Sequence, residues 1–293
     1  MLNNSRSQQL LPTSLQQWLA QQGLGNIEQT ESLAGGSINQ VLQVTTTTDE
    51  HFVLKLNPNC ADDFFLAEAR SLQLLGRTGC VAVPEVYHAG PDFLLMEYLP
   101  ASKRSSHYWE QLGESLAHLH QQPADRFGFP FDTYCGSNLQ PNDPLDDGYQ
   151  FFSERRLIHQ ARLARDQGLL ERSDTWAVEH LCERLPELIP LQAPAPLHGD
   201  LWSGNVHCGP EGRPYLIDPA AYYGWPEADL AMTQLFGGFD SEFLLAYQQV
   251  RRLEPGFEQR VAIYNLYHLL NHLNLFGEAY LRQVRQILER FRR

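Results

Sequence analysis

The sequence contains little positive charge. Its 293 residues include 22 Lys and Arg against 35 Asp and Glu, which gives a net charge of −13, and the basic residues form no cluster along the chain. Binding to nucleic acid or to an anionic membrane requires clustered basic side chains that neutralise phosphates. The composition therefore predicts neither partner. Lysine is especially scarce, since Lys55 and Lys103 are the two in the chain.

Long apolar runs and paired cysteines are also missing. No stretch approaches the roughly 18 apolar residues of a membrane-spanning helix, and residues 1–23 lack the continuous apolar core of a secretory signal. The five cysteines are odd in number, widely spread, and form no C-x-x-C pair, so they indicate neither a disulfide framework nor a zinc site. We therefore expect a protein of the reducing cytoplasm.

What the sequence does contain is 43% apolar residues, enough to bury a core and to exclude general disorder. In the first third, alternation with period two predicts strands, and apolar residues at helical spacing predict helices. The predicted elements are helices at 13–22 and 61–75 and strands at 40–46, 51–56, 85–88 and 93–98. Together they predict a small antiparallel sheet with its helices.

Beyond Pro100 the pattern becomes mainly helical. Helices are predicted near 105–121, 150–168 and 174–189 and from about 226 to the C-terminus, with polar loops at 123–148 and 197–218. Strands followed by helices indicate an α+β fold rather than an alternating βαβ sheet. We predict a two-lobed chain: an N-lobe at 1–97, a hinge at 98–102 and a larger helical C-lobe at 103–293.

The most informative segment is His-Gly-Asp-Leu-Trp-Ser-Gly-Asn at 198–205, followed by Ile-Asp at 217–218. Asp200, Asn205 and Asp218 would bring two carboxylates and an amide oxygen to one point, and hard divalent cations prefer such ligands. Asp200 would remain free to act on a hydroxyl proton. The spacing resembles the catalytic loop and metal-binding aspartate of protein-kinase-like phosphotransferases. The alternative is a tight turn and a helix cap without catalytic function.

Lys55 supplies independent support. Period-two alternation places it on the same face of its strand as Val53, and a charge on a half-buried strand needs a partner. Glu68, thirteen residues later on the next predicted helix, can be that partner, as in the lysine–glutamate pair that positions ATP in kinases. A surface lysine beside an unrelated glutamate is the alternative.

A glycine-rich turn precedes the strand at 40–46. Gly35, Gly36, Ser37 and Asn39 lie where small residues would let backbone amides approach phosphate oxygens. The turn matches neither common phosphate-loop motif, and read alone it could be a plain turn. At the other end of the small lobe, residues 93–100 would form either a simple edge strand or, in the kinase arrangement, the hinge strand beside adenine.

Taken together, these residues resemble the fructosamine kinase (ketosamine-3-kinase) family, a branch of the aminoglycoside-phosphotransferase-like kinases. The resemblance covers about residues 10–290. It rests on segments 35–40, 127–129, 133–136, 151–157, 198–205 and 227–239 and on Asn142. The Leu-Trp-Ser-Gly-Asn and Ala-Asp-Leu-Ala-Met strings are the most specific parts.

The resemblance implies transfer of the ATP γ-phosphoryl group to the 3-hydroxyl of a ketosamine, a step that reverses glycation. It implies that Asp200 accepts the hydroxyl proton and that Asn205 and Asp218 hold Mg²⁺. Lys55, Glu68 and the loop at 35–39 would position the phosphates.

The hinge residues Glu97, Tyr98 and Leu99 would bind adenine. Trp202 and His198 are candidates for contact with the acceptor, although Trp202 could equally pack under the loop.

Four residues depart from the family pattern in the large lobe, namely Pro144, Gly148, Trp225 and Pro226. They leave the acceptor more open than the ATP chemistry. The expected partner is a small-molecule ketosamine or a glycated amine or protein. The alternatives are a kinase for another hydroxylated amine, such as an aminoglycoside or a choline-like compound, and a non-catalytic nucleotide-binding protein of the same fold.

Overall fold

The computed structural model describes residues 11–33 and 38–292, and its first third is built on an antiparallel sheet. The five strands are β1 (Ile27–Ser32), β2 (Gln40–Thr46), β3 (His51–Leu56), β4 (Val86–Ala89) and β5 (Phe93–Glu97). Their order in the sheet is β1-β2-β3-β5-β4, and every adjacent pair is antiparallel. This confirms the predicted small antiparallel sheet.

Two helices, α1 (Thr13–Gln21) and α2 (Phe64–Arg77), cover the sheet. Because alternate strand residues face opposite sides, β3 and β5 supply a separate core to each helix. Leu54 packs in the cluster that contains the buried side chains of α1, while Leu94 packs with those of α2. Lys55 therefore projects from the α2 side of the sheet.

The remainder of the chain is mainly helical, as predicted. The helices are α3 (Tyr108–Leu119), α4 (Gly148–Phe151), α5 (Ile158–Asp166), α6 (Arg172–Glu183), α7 (Leu185–Leu188), α8 (Pro226–Leu235), α9 (Ser241–Val250), α10 (Phe257–Phe276) and α11 (Leu281–Arg290). A π-helix at Phe152–Leu157 joins α4 to α5. None of the helices that the structure describes is both long and apolar enough to cross a bilayer.

Six short strands complete the helical lobe. They are β6 (Thr133–Cys135), β7 (Asn138–Gln140), β8 (Ala195–Leu197), β9 (Val206–Cys208), β10 (Pro214–Leu216) and β11 (Tyr222–Gly224). They pair as three two-stranded ribbons, β6 with β7, β8 with β11 and β9 with β10. The ribbons carry the loops that face the small lobe.

Arg156 anchors the β6–β7 ribbon to the helical core. Its fully buried guanidinium lies over the rings of Phe151, Tyr222 and Tyr267 and donates to the side-chain oxygen of Asn142 at 2.7 Å. A buried charge needs such partners to offset lost hydration. The segment at 151–157 and Asn142, two parts of the sequence that carry the family resemblance, therefore contact each other here.

Candidate active site

A cleft of about 700 Å³ lies between the sheet and the helical lobe. It collects residues from distant parts of the chain. The predicted site residues that line it are Asn39, Lys55, Glu68, Glu97, Tyr98, Leu99, Asp200, Trp202, Asn205 and Asp218. Gly35, Gly36 and Ser37 were also predicted to bind phosphate, and they lie outside the described residues.

Lys55 lies at the centre of the polar part of the cleft. It is 3% exposed; its ammonium group pairs with Glu68 of α2 and donates to Asp218 Oδ1 at 2.5 Å. Burial by itself lowers the pKa of a lysine, but the charges of Asp218 and Glu68 outweigh it and raise the pKa of Lys55. The side chain is therefore a fixed positive charge in contact with both lobes.

Asp200 and Asn205 lie in the loop at 198–205, which lines the same cleft as Lys55. The Asn205 amide nitrogen donates to the Asp200 carbonyl at 2.8 Å and to Asp200 Oδ2 at 3.2 Å. Burial, together with the negative charge of Asp218, raises the pKa of Asp200 to about 7, against the opposing hydrogen bond from Asn205. A carboxylate with this pKa can accept a proton near neutral pH.

Asp218 follows strand β10 in an unusual backbone conformation. Its φ is +55°, in the left-handed region where a non-glycine residue costs on the order of 1 kcal/mol or more. Its side chain is 40% exposed. The side-chain nitrogen of Asn205 donates hydrogen bonds to Asp200. The Asn205 side-chain oxygen and the Asp218 carboxylate can therefore serve as ligands of a cation. This donor set suits Mg²⁺.

Asp229 of α8 fixes the start of the loop at 198–205. Its buried carboxylate accepts from the backbone amides of His198 at 2.7 Å and Gly199 at 2.8 Å, and from His120 Nε2 at 3.3 Å. Burial opposes ionisation, but these hydrogen bonds and the nearby histidines lower the pKa of Asp229. The Ala-Asp-Leu-Ala-Met string alone does not reveal this role.

Gly199 makes the tight turn before Asp200. Its φ is +83°, and a Cβ atom there would lie 2.0 Å from the Ala220 carbonyl oxygen. Both conditions favour glycine. The turn and the Asp229 contacts together fix the direction of the Asp200 backbone.

His198 does not occupy the predicted position. Its side chain is fully buried, Nε2 donates to the Ile217 carbonyl at 2.9 Å, and Nδ1 accepts from the Asp200 amide at 3.3 Å. The cleft-lining residues do not include it. The expectation that His198 contacts the acceptor is therefore corrected. Its side chain links the loop at 198–205 to the segment before Asp218.

The sequence left two alternatives for Trp202, contact with the acceptor and packing under the loop, and the structure is compatible with both. Its ring packs so closely on Gly204 that a Cβ there would lie 2.2 Å from it, and it makes an edge contact with Phe236 at 6.1 Å between centroids. The side chain nevertheless remains 38% exposed and lines the cleft. Trp202 is held in place by packing and still offers an aromatic surface.

The hinge is attached to the helical lobe. Leu99 accepts from His207 Nε2 at 2.9 Å through its carbonyl, and Glu97 Oε2 accepts from the Glu85 amide at 3.1 Å. Apolar side chains of Val41 and Met96 line the same end of the cleft. An apolar slot lined by these side chains beside residues 97–99 suits a purine base.

The four departures from the family pattern lie away from the cleft. Trp225 is buried in the helical core, where its ring contacts Phe127, and Pro226 begins α8 beside it. Pro144 is exposed on the loop before α4, and Gly148 is the first residue of that helix. Of the residues described, none of these four lines the cleft.

The two lobes, the buried lysine–glutamate pair and the polar loop opposite define a chain of protein-kinase-like fold. Comparison with solved structures agrees. The ADP-bound aminoglycoside phosphotransferase APH(2'')-Ib matches with a TM-score of 0.63 over 95% of this chain and 97% of that one, at 16% identity. At this identity the similarity shows the fold alone.

The chain belongs to the fructosamine kinase family, whose sequence profile matches residues 11–293. A protein of Enterococcus faecium named "Probable ketoamine kinase" is 41% identical over 271 residues, covering 88% of this chain and 94% of that protein. One of Escherichia coli with the same description is 38% identical over 277 residues, covering 92% and 95%. A crystal structure titled "Putative fructosamine-3-kinase" from Haemophilus somnus has a TM-score of 0.85 at 30% identity, covering 94% and 96%.

Proposed function

We propose that this protein transfers the γ-phosphoryl group of ATP to the 3-hydroxyl of a ketosamine, a fructosamine or ribulosamine, with Mg²⁺. One observation carries the proposal: Lys55 of the small lobe contacts Asp218 across 163 residues of sequence, in the cleft that Asp200 also lines. A fixed positive charge, oxygen donors for a cation and a proton acceptor thus converge on one space. Phosphoryl transfer needs this combination.

The contacts support a role for each residue. Lys55, oriented by Glu68, would bind the phosphates and offset their charge. Asn205 and Asp218 supply the oxygen donors for Mg²⁺, whose charge further offsets that of the phosphates. The slot beside the hinge would take adenine. Positioning and electrostatics account for most of the rate in such a reaction.

Asp200 would act on the acceptor. Its carboxylate lies in the cleft with a pKa near neutrality, so at neutral pH it can orient the sugar hydroxyl and receive its proton as the phosphoryl group arrives. The exposed ring of Trp202 would stack on the sugar or amine part. The product is a phosphorylated ketosamine, whose breakdown would release the amine and so reverse glycation. An ATP-dependent repair of this kind belongs in the cytoplasm.

The test is a phosphoryl-transfer assay with labelled ATP and a panel of acceptors. We expect turnover of free fructosamines or ribulosamines, or of glycated protein, and none of an aminoglycoside or choline. Asp200→Asn should lower turnover by roughly 10²–10⁴-fold with ATP binding retained, whereas Asp146→Asn, on a side chain that is 85% exposed, should not. Turnover of an aminoglycoside alone would contradict the acceptor, and full activity of Asp200→Asn would contradict the proton acceptor.

A further inference from the structure

Asp200 also belongs to a second cluster of chemically reactive side chains. Cys135 at the end of β6, Asp200 and His268 of α10 each direct one ligand atom to a common region, and these atoms lie within 4.8 Å of one another. The phosphoryl-transfer roles above use Asp200 and leave the thiol and the imidazole without a function. Three separate segments of the chain contribute to this arrangement.

Two atoms of the cluster are buried and unpaired. Asp200 Oδ1 and His268 Nδ1 are 3.9 Å apart, too far for a direct hydrogen bond, and neither has a hydrogen-bond partner among the described residues. His268 is 4% exposed. An unpaired buried polar atom costs about 1–3 kcal/mol, so two of them facing one space indicate a shared ligand.

The chemistry of the donors favours a cation. Burial lowers the pKa of His268 to about 3, so the ring is neutral and its Nδ1 can offer a lone pair. The Asp200 carboxylate offers another, and the Cys135 sulfur a third. Sulfur, nitrogen and one carboxylate oxygen, with an open fourth position, is a ligand set typical of Zn²⁺ rather than Mg²⁺.

The spacing is compatible with that ion. Zinc bonds of about 2.0–2.3 Å in a tetrahedron place ligand atoms roughly 3.3–3.8 Å apart, so the observed 3.9 Å between Asp200 and His268 is already close to the required value. Since the ligand atoms lie within 4.8 Å of one another, the sulfur must approach by about 1.5 Å at most. Burial raises the pKa of the Cys135 thiol, so zinc binding would displace its proton to solvent.

We propose that Cys135, Asp200 and His268 form an inhibitory Zn²⁺ site adjoining the cleft, which Asp200 lines. Thr133 of β6 and Gly136, which follows Cys135, line the cleft together with Asp200, so the ion can enter from the nucleotide side. Once its Oδ1 is bound to zinc, Asp200 can no longer accept a proton from an alcohol. The inhibition rests on the proposed function, whereas the zinc binding does not.

The binding test uses the purified full chain without nucleotide or acceptor. Zn²⁺ affinity is measured by competition with a chromophoric chelator, and Co²⁺ substitution reports a thiolate ligand through its sulfur-to-metal absorption band. We expect one tight site per chain. Cys135→Ser and Cys135→Ala should each weaken binding at least about tenfold, since even outer-shell changes cost 10–100-fold, and should abolish the band.

Matched controls separate this site from other thiols and imidazoles. Cys182→Ser removes another buried thiol, in α6, and His272→Gln removes a histidine one turn along α10; neither should change the affinity. His268→Gln should weaken it like the Cys135 variants. Circular dichroism verifies the fold of each variant. Absence of the cobalt–thiolate band from the wild type, or wild-type affinity in both Cys135 variants, would overturn the site.

The activity test compares each protein with its own metal-free rate. Micromolar Zn²⁺ should inhibit the wild type at saturating Mg²⁺, a chelator should reverse the inhibition, and Cys135→Ser should be at least tenfold less sensitive. Zinc binding without any loss of turnover would overturn the inhibitory role. Zinc binding in a protein that phosphorylates no ketosamine would instead contradict the proposed function and leave the metal site standing.

Discussion

Replacing Asp229 by Asn should damage both stability and catalysis, because this side chain fixes the loop that carries Asp200. The carboxylate accepts two short hydrogen bonds from the amides of His198 and Gly199. An asparagine has one acceptor oxygen, so it can satisfy one amide and turns an NH₂ group toward the other. The change removes a charge-assisted bond and leaves a buried donor unpaired, and each effect costs about 1–3 kcal/mol.

We therefore expect Asp229→Asn to lower the free energy of unfolding by about 2–6 kcal/mol, measured by urea denaturation followed by circular dichroism. Because the pKa of Asp229 is lowered in the fold, its contribution is present above about pH 4, the ordinary range of an aspartate. It is lost as the pH falls through the folded value, so the difference from wild type should shrink at pH 3.

The same substitution should reduce kcat by on the order of 100-fold, the effect of a displacement of about 1 Å at a catalytic group. The affinity for ATP should change less, because Lys55 and Glu68 are not touched. Asp146→Asn is the matched control, since its exposed pair with Arg126 should contribute less than about 1 kcal/mol. If Asp229→Asn unfolds and turns over like wild type, the loop is not held in the way described.

Three further predictions concern the cleft. Lys55→Met should lower kcat/KM by about 10²–10³-fold, as expected for loss of a preorganised charge, while Lys103→Met, at an exposed position, should leave steady-state kinetics unchanged; equal effects would contradict the assigned role. Because the pKa of Asp200 is raised to about 7 and its ionised form accepts the proton, kcat/KM should fall about tenfold per pH unit below pH 7. A pH profile flat down to pH 5 would refute this. Trp202→Ala should raise KM for the acceptor with little change in KM for ATP, whereas Trp176→Ala, whose ring is 55% exposed on α6, should change neither.

The local sequence pattern was sufficient to predict most of the secondary structure of the small lobe. The strands at 40–46 and 51–56 have the predicted bounds, because both are rich in β-branched and apolar residues and are separated by a polar turn. Strand Ile27–Ser32 was not predicted. Its residues are mostly polar and exposed, so it is stabilised by hydrogen bonding along Gln40–Thr46 rather than by burial. The three short ribbons were missed because three-residue strands have no recognisable period.

The candidate site can likewise be predicted from the sequence only in part. The contact between Lys55 and Glu68 follows from strand alternation and helix position, both of which are local properties. The role of Asp229 cannot be predicted from the sequence pattern, because its two shortest contacts are with backbone amides, which no side-chain pattern records. The sequence also does not reveal that the His198 side chain is buried outside the cleft lining, because the motif gives the order of the residues but not the direction of each side chain. That direction depends on the Ile217 carbonyl, nineteen residues away.

The burial of Lys55 has a chemical consequence for the protein itself. Reducing sugars condense with neutral amines, and this amine is sealed in the interior and held protonated by two carboxylates. Guanidinium groups carry most of the positive charge elsewhere and remain charged at all ordinary pH values. Of its lysines, the folded chain thus presents just Lys103 to a sugar. If the protein acts on ketosamines as proposed, it therefore offers few lysine side chains of its own for glycation.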